Sequence, residues 1–299
     1  ELDNIPNEID EKDIKNRTDL RDAELFTIDG DDAKDLDDAV SLKMLENGNY
    51  ELGVHIADVS FYVKENTEID KEAYNRGTSV YLVDRVLPML PHKLSNGICS
   101  LNGGVDRFAI SCIMEINDKG NVVNYNVFPS VIRSKLRMTY KKVNDILDKN
   151  IVDELYKPFE KTLRNMKKLS DILRENKRRR GYIDFEIPEV KILVDEKGKP
   201  IELAKREQGT GEKLIEDFMI AANETVATHI YFMDLPFIYR VHEAPDIEKI
   251  EELNKFLYNF GYKIKGSKDN IHPKAFAQVL ESIKGKPEER VVSNLILRT

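Results

Sequence analysis

Apolar and polar positions alternate most clearly just after residue 38. In "AVSLKMLENGNYELGVHIADVSFYV", Val40, Leu42 and Met44 alternate with less apolar residues, and Leu52, Val54 and Ile56 do the same. Asn47-Gly48 lies between the two runs, and this dipeptide accepts the left-handed backbone of a tight turn, so the segment predicts a β-hairpin. Further hairpins are predicted in "RFAISCIMEINDKGNVVNYNVFPSVI", turning around Asp118 to Gly120, and in "EVKILVDEKGKPIELAKRE", turning near Lys197-Gly198. Elsewhere the period lengthens. Leu163, Met166, Leu169 and Leu173 recur at helical spacing, and residues 211–232 read as a long, largely buried helix. Ile247, Ile250, Leu253, Phe256, Leu257 and Phe260 mark another helix, and 273–283 and 287–298 continue the pattern.

Hairpins early and helices late predict an α+β fold, with mixed, largely antiparallel sheets packed by several helices, rather than a βαβ wind. No repeat, low-complexity tract or linker breaks the chain, so one domain over 1–299 is expected. The pattern is still helical at "NLILRT", with no Gly or Pro stop, so that domain is expected to be incomplete at its C-terminal end.

Composition narrows the class. An apolar content of 41% with 33% charged residues is that of a soluble globular protein, and no run of about 18 apolar residues offers a membrane span. Cys99 and Cys112 have no CxxC partner and read as reduced, buried thiols of a cytoplasmic protein. The net charge of −8 is unevenly spread. Residues 1–40 carry fifteen Asp/Glu against five Lys/Arg, whereas residues 161–180 carry nine basic residues against two acidic ones. A nucleic-acid footprint is local, so the total charge does not exclude one.

The densest chemistry is "TIDGDDAKDLDD", residues 27–38, with six aspartates: Asp29, Asp31, Asp32, Asp35, Asp37 and Asp38. Such crowding is repulsive unless water or a cation relieves it. A solvated loop is the simplest reading, but the stretch opens on the apolar "FTI", a candidate buried strand, and runs straight into a hairpin. An EF-hand fails on spacing, because the sixth position from Asp29 is Lys34 and the twelfth is Val40. An aspartyl-phosphate nucleophile in "DLDD" lacks the apolar strand it needs before it. A magnesium or manganese site for phosphoryl chemistry fits best, since these ions take carboxylate oxygens, and a pair of them about 3.5–4 Å apart can clamp both oxygens of a phosphodiester displacement.

At this point the chain resembles a family. "FTIDGDDAKDLDDAV" is similar to the signature of the RNB catalytic domain of the RNase II/RNase R exoribonucleases. "VHIADVSFYV", "VLPMLPHKLSNGICSLNGGVDRFAISCIMEI", "RRRGYIDFE", "LIEDFMIAANE" and "YRVHEAPD" resemble further blocks of that domain, in the same order. The resemblance implies processive 3′-to-5′ hydrolysis of single-stranded RNA to nucleoside 5′-monophosphates, with Mg²⁺ or Mn²⁺, by a monomer without membrane attachment. It places the catalytic carboxylates at Asp29, Asp35, Asp37 and Asp38. Asp29 and Asp38 are then expected on one metal, and Asp35 and Asp37 on the other metal and the attacking water. Asp31 and Asp32 are expected in solvent.

For RNA contact, the resemblance points to Tyr81 as a base-stacking ring and to Tyr140 beside the active site. It also points to Glu216, with Asn223 seven residues on, both expected on the inner face of their helix. Arg178, Arg179 and Arg180 are candidates for phosphates. The second aromatic of the family's base clamp falls at Ile192, where a phenylalanine is expected. The family's later arginine block and flanking oligonucleotide-binding domains are not found in the sequence, so the chain alone is expected to be weakly active or inactive. A non-catalytic RNA- or metal-binding protein that keeps the fold is the alternative.

Overall fold

The computed structural model describes residues 1–183, 189–196, 198–206, 208–241, 244–266 and 271–299. Its strands are β1 (Thr18–Leu20), β2 (Leu25–Asp29), β3 (Asp38–Met44), β4 (Tyr50–Ala57), β5 (Val80–Tyr81), β6 (Val86–Leu87), β7 (Asp106–Ile116), β8 (Val122–Arg133), β9 (Arg137–Thr139), β10 (Glu189–Val194) and β11 (Pro200–Arg206). Its α-helices are α1 (Glu11–Ile14), α2 (Val59–Tyr62), α3 (Glu68–Arg76), α4 (Tyr140–Lys149), α5 (Glu160–Arg180), α6 (Thr210–Phe232), α7 (Ile247–Tyr258), α8 (Pro273–Ile283) and α9 (Glu289–Arg298). The chain divides into two compact units, one formed by Glu1–Leu173 and Glu189–Asp234, the other by Arg174–Pro188 and Leu235–Thr299.

In the first unit a seven-stranded sheet runs in the order β1-β8-β7-β4-β3-β2-β9. The expected hairpins are its backbone: β3–β4 turns at Gly48 and β7–β8 at Gly120, both with positive φ. The third hairpin, β10–β11, stands as its own two-stranded sheet and turns beside Gly198, while Lys197 lies outside the described residues. Two parallel pairings, β1 with β8 and β2 with β9, close the two edges. Strand side chains alternate between faces, and here both faces are covered. Phe26, Ile28, Val40, Leu42, Leu52, Val54 and Met114 pack with Val143 and Ile146 of α4, Leu163 and Met166 of α5, and Leu214 and Phe218 of α6. Leu25, Ala39, Ala57, Ala109 and Ile132 pack on the other side with Leu36, Leu94, Ile98 and Leu101. A strand covered twice loses its alternation, which is why β2 reads as the unbroken apolar run "LFTI".

The second unit has a separate core, made by Ile250, Leu253 and Leu257 of α7, Phe276, Val279 and Ile283 of α8, and Val292 and Ile296 of α9. Among the described residues no helix is long and apolar enough to cross a membrane. Cys99 and Cys112 are free and buried, and burial pushes their thiols up to about 12 and about 11.

Candidate active site

The acidic stretch leaves the sheet at the end of β2 and re-enters it at the start of β3. Asp29 is the last residue of β2, and Asp38 is the first of β3, paired with Ile56 of β4. Both are half-buried, and among the described residues Asp29 Oδ2 and Asp38 Oδ2 are each enclosed without a hydrogen-bond partner. An enclosed carboxylate oxygen without a partner is costly, since it has lost water and gained nothing. The electrostatics agree. Burial, and then the charge of Asp38, push the Asp29 carboxyl up to about 7, although the Arg137 guanidinium pulls the other way. Burial, and then Asp37, push Asp38 up to about 6. Asp37 reaches solvent at its surface but is also raised, by desolvation first and by Asp35 second.

Between these ends, residues 30–37 form no strand or helix. Asp31 and Asp32 are exposed, and Asp35 is half-buried. Leu36 is driven inward, only 1% exposed, into the second sheet core. Asp37 lends its carbonyl to the Ala57 N–H at 2.9 Å, which ties the loop to the end of β4. The four aspartates therefore influence one another in a chain, from Asp35 through Asp37 and Asp38 to Asp29. Among the described residues, however, no three His, Cys, Asp or Glu side chains are drawn into a group that could hold a metal ion. The enclosed oxygens of Asp29 and Asp38 fit a hard divalent cation, and the remaining carboxylates are near neighbours rather than a closed ligand set.

The other expected residues separate into near and far. Tyr81 is 67% exposed on the small β5–β6 sheet, and its hydroxyl donates to Asp35 Oδ2 at 3.1 Å. Tyr140 is half-buried at the start of α4, one residue past Thr139, which pairs with Asp29 across β2–β9. Glu216 and Asn223 depart from expectation. Both are exposed on α6, and the inner face of that helix holds Asp217 instead, which accepts from Ser170 Oγ at 2.7 Å. The inner stripe of α6 is Leu214, Ile215, Phe218 and Ala222, so helical spacing turns Glu216 and Asn223 outward together. Arg178, Arg179 and Arg180 are the exposed last turn of α5, in the second unit. Ile192, 37% exposed, pairs with Leu203 on the β10–β11 hairpin.

Sequence reading missed the residues that hold the loop. Arg137 Nη2 donates to the carbonyls of Gly30 (3.4 Å), Asp31 (3.0 Å) and Ala33 (2.7 Å). Ser100 Oγ accepts from the Leu36 N–H at 3.1 Å and donates to the Lys34 carbonyl at 2.9 Å. Nothing local in "ICSLN" around Ser100 or "LRMTY" around Arg137 points to a loop so far away in sequence.

A covered seven-stranded sheet with an aspartate-rich loop at one strand end defines a class, and comparison with known proteins gives that class its name. The profile of the RNB domain matches residues 17–299. The chain is 51% identical over 296 residues to Ribonuclease R 1 of Lactococcus lactis subsp. lactis (strain IL1403), covering 99% of this chain and 36% of that protein. It is likewise 51% identical over 296 residues to Ribonuclease R of Thermotoga maritima, covering 99% of this chain and 42% of that one. The solved structure of Mycoplasma genitalium RNase R in complex with ribose-methylated single-stranded RNA superposes with a TM-score of 0.95 at 32% identity, over 100% of this chain and 46% of that one. The chain belongs to the RNB domain family, and it spans less than half the length of these relatives.

Proposed function

We propose that this chain is the catalytic region of a 3′-to-5′ exoribonuclease that hydrolyses single-stranded RNA to nucleoside 5′-monophosphates. The observation that carries this reading is the pair of enclosed carboxylate oxygens on Asp29 and Asp38, without a hydrogen-bond partner among the described residues, at the ends of β2 and β3 where the charge of Asp38 bears on Asp29. Its relatives are ribonucleases R, and one of them was solved with single-stranded RNA.

Asp29 and Asp38 would hold one Mg²⁺ or Mn²⁺, and Asp35 and Asp37 would serve a second ion and the attacking water. Held by these carboxylates, divalent ions would lower the pKa of water from ~15.7 towards 7 and would offset charge on the phosphodiester. The protein supplies the rest. The carboxylates orient the water and accept its proton. The exposed ring of Tyr81, beside Asp35, offers a stacking platform worth about 1–3 kcal/mol per base without reading sequence. Glu216 and Asn223, exposed on α6, are free to meet ribose hydroxyls, which distinguish RNA from DNA. The arginines of α5 suit phosphates.

One observation favours the non-catalytic alternative: among the described residues the carboxylates are not gathered into a group of three. The test separates the two readings. The chain, alone and exchanged for the matching segment of the Lactococcus relative, is given 5′-labelled oligo(A) with Mg²⁺. The expected result for the exchanged protein is stepwise shortening from the 3′ end, lost in Asp38→Asn while RNA binding persists. Shortening that survives Asp38→Asn, or RNA bound but never cut by the exchanged protein, would refute the proposal.

A further inference from the structure

We propose that Arg137 and Ser100 are positioning residues that pin the backbone of the acidic loop from two sides and so set the spacing of the four aspartates for a divalent cation. The inference rests on the metal reading above. Asp29 and Asp38 are fixed by their strands, but the residues between them have no ladder to hold them. Crowded like charges drive such a loop to spread. Against that tendency, the carbonyls of Gly30, Asp31 and Ala33 all accept from one guanidinium nitrogen of Arg137. Arg137 is placed for this by β9, where it pairs with Thr27, two residues before Asp29 on β2.

The other half of the loop is held from below. Ser100 is fully buried, and its hydroxyl bridges the Lys34 carbonyl and the Leu36 N–H. The neighbouring Leu101 N–H donates to the Leu36 carbonyl at 2.8 Å. Ser100 is itself held, because Arg107 Nε donates to its carbonyl at 2.9 Å.

The choice of partners gives the arrangement its purpose. Among the described residues Arg137 makes no ion pair with the aspartates, and its guanidinium donates to the backbone carbonyls of Gly30, Asp31 and Ala33. A salt bridge would occupy the carboxylate oxygens. A cation bound to the carbonyls softens the local repulsion and leaves those oxygens open to a metal. The guanidinium keeps its charge at any working pH and, held on β9, reaches all three carbonyls through Nη2.

The experiment compares the parent chain with Arg137→Met, Arg137→Lys, Ser100→Ala and Asp38→Asn. Mn²⁺ affinity is measured by calorimetry, and amide exchange is followed across residues 31–37. Arg137→Met should weaken Mn²⁺ at least tenfold and speed exchange at Ala33 and Leu36, with β4 and β7 unchanged. Arg137→Lys should recover part of both. Because Arg137 is exposed, its variants test the idea even if Ser100→Ala folds poorly. Tight parent binding that Arg137→Met keeps within twofold, with unchanged loop exchange, overturns the clamp alone. Parent binding no tighter than that of Asp38→Asn overturns the metal reading and, with it, the role assigned to the clamp.

Discussion

At His55 both ring nitrogens have partners inside the sheet. Nδ1 lies 2.7 Å from Ser111 Oγ, its cross-strand partner on β7, and Nε2 lies 3.1 Å from Ser41 Oγ on β3. Ser111 passes the chain to Ser130 of β8 at 2.6 Å, so one polar row crosses four strands under apolar cover. The cover is tight enough that a Cβ on Gly53 would collide with Ser41 Oγ and His55 Nε2. Burial pushes the imidazole down to about 4. The unfolded chain therefore takes up a proton near pH 6.5 that the folded chain refuses until about pH 4. Stability is complete above the higher value and is lost as pH falls through that window, by about 3 kcal/mol from this group. In His55→Asn, urea unfolding at pH 7 and pH 4.5 should show a smaller acid loss than the parent, by about 2–3 kcal/mol. Parallel losses in the two proteins would assign the acid sensitivity elsewhere.

At the scale of elements, α6 shows what a helix start requires. Its first N–H groups have no partner within the helix. Asn144, on α4, accepts the Gly211 N–H at 2.6 Å and donates to Glu212 at 2.9 Å, while Glu212 accepts the Gly209 N–H at 3.0 Å. Gly209 is required here, since a Cβ would meet the Asn144 amide. Asn144→Ala should cost about 1–2 kcal/mol, read as a lowered melting temperature, because α6 loses the cap it borrows from α4. A change below about 0.3 kcal/mol would show that water replaces the amide.

The same comparison marks what could be read from sequence. The three hairpins were legible because each carries its own turn residues, and the long helices because their apolar stripes are periodic. The β1–β8 and β2–β9 pairings were not, since three-residue strands joining across more than a hundred residues leave no local pattern. The crowding of aspartates over residues 27–38 was legible because it is local, whereas the choice of Asp29, Asp35, Asp37 and Asp38 among them came from the family resemblance. Arg137 and Ser100 were not, and Glu216 and Asn223 were placed on the wrong face because an acidic neighbour, Asp217, took the buried position.

The whole molecule is organised around two separate cores with α5 running from one unit into the other. The first core has a seven-stranded sheet covered on both faces, and the second has three short helices around Leu257, Ile283 and Val292. Short helices carry little stability of their own and depend on their shared apolar face. Local opening should therefore need less free energy in α7–α9 than in β3, β4 and β7. Leu257, fully buried, is the place to test this. Leu257→Ala removes buried methyl groups and leaves a cavity, at about 2–5 kcal/mol. Amide exchange should accelerate across α7, α8 and α9 and stay unchanged in the central strands, and Mn²⁺ affinity should hold if the aspartates belong to the first unit alone. The reciprocal variant, Phe218→Ala on α6, should instead accelerate the sheet. If Leu257→Ala loosens β3 and β4 as much as α7, the two cores unfold as one cooperative body, and the acidic loop depends on helices that begin about 200 residues after it in sequence.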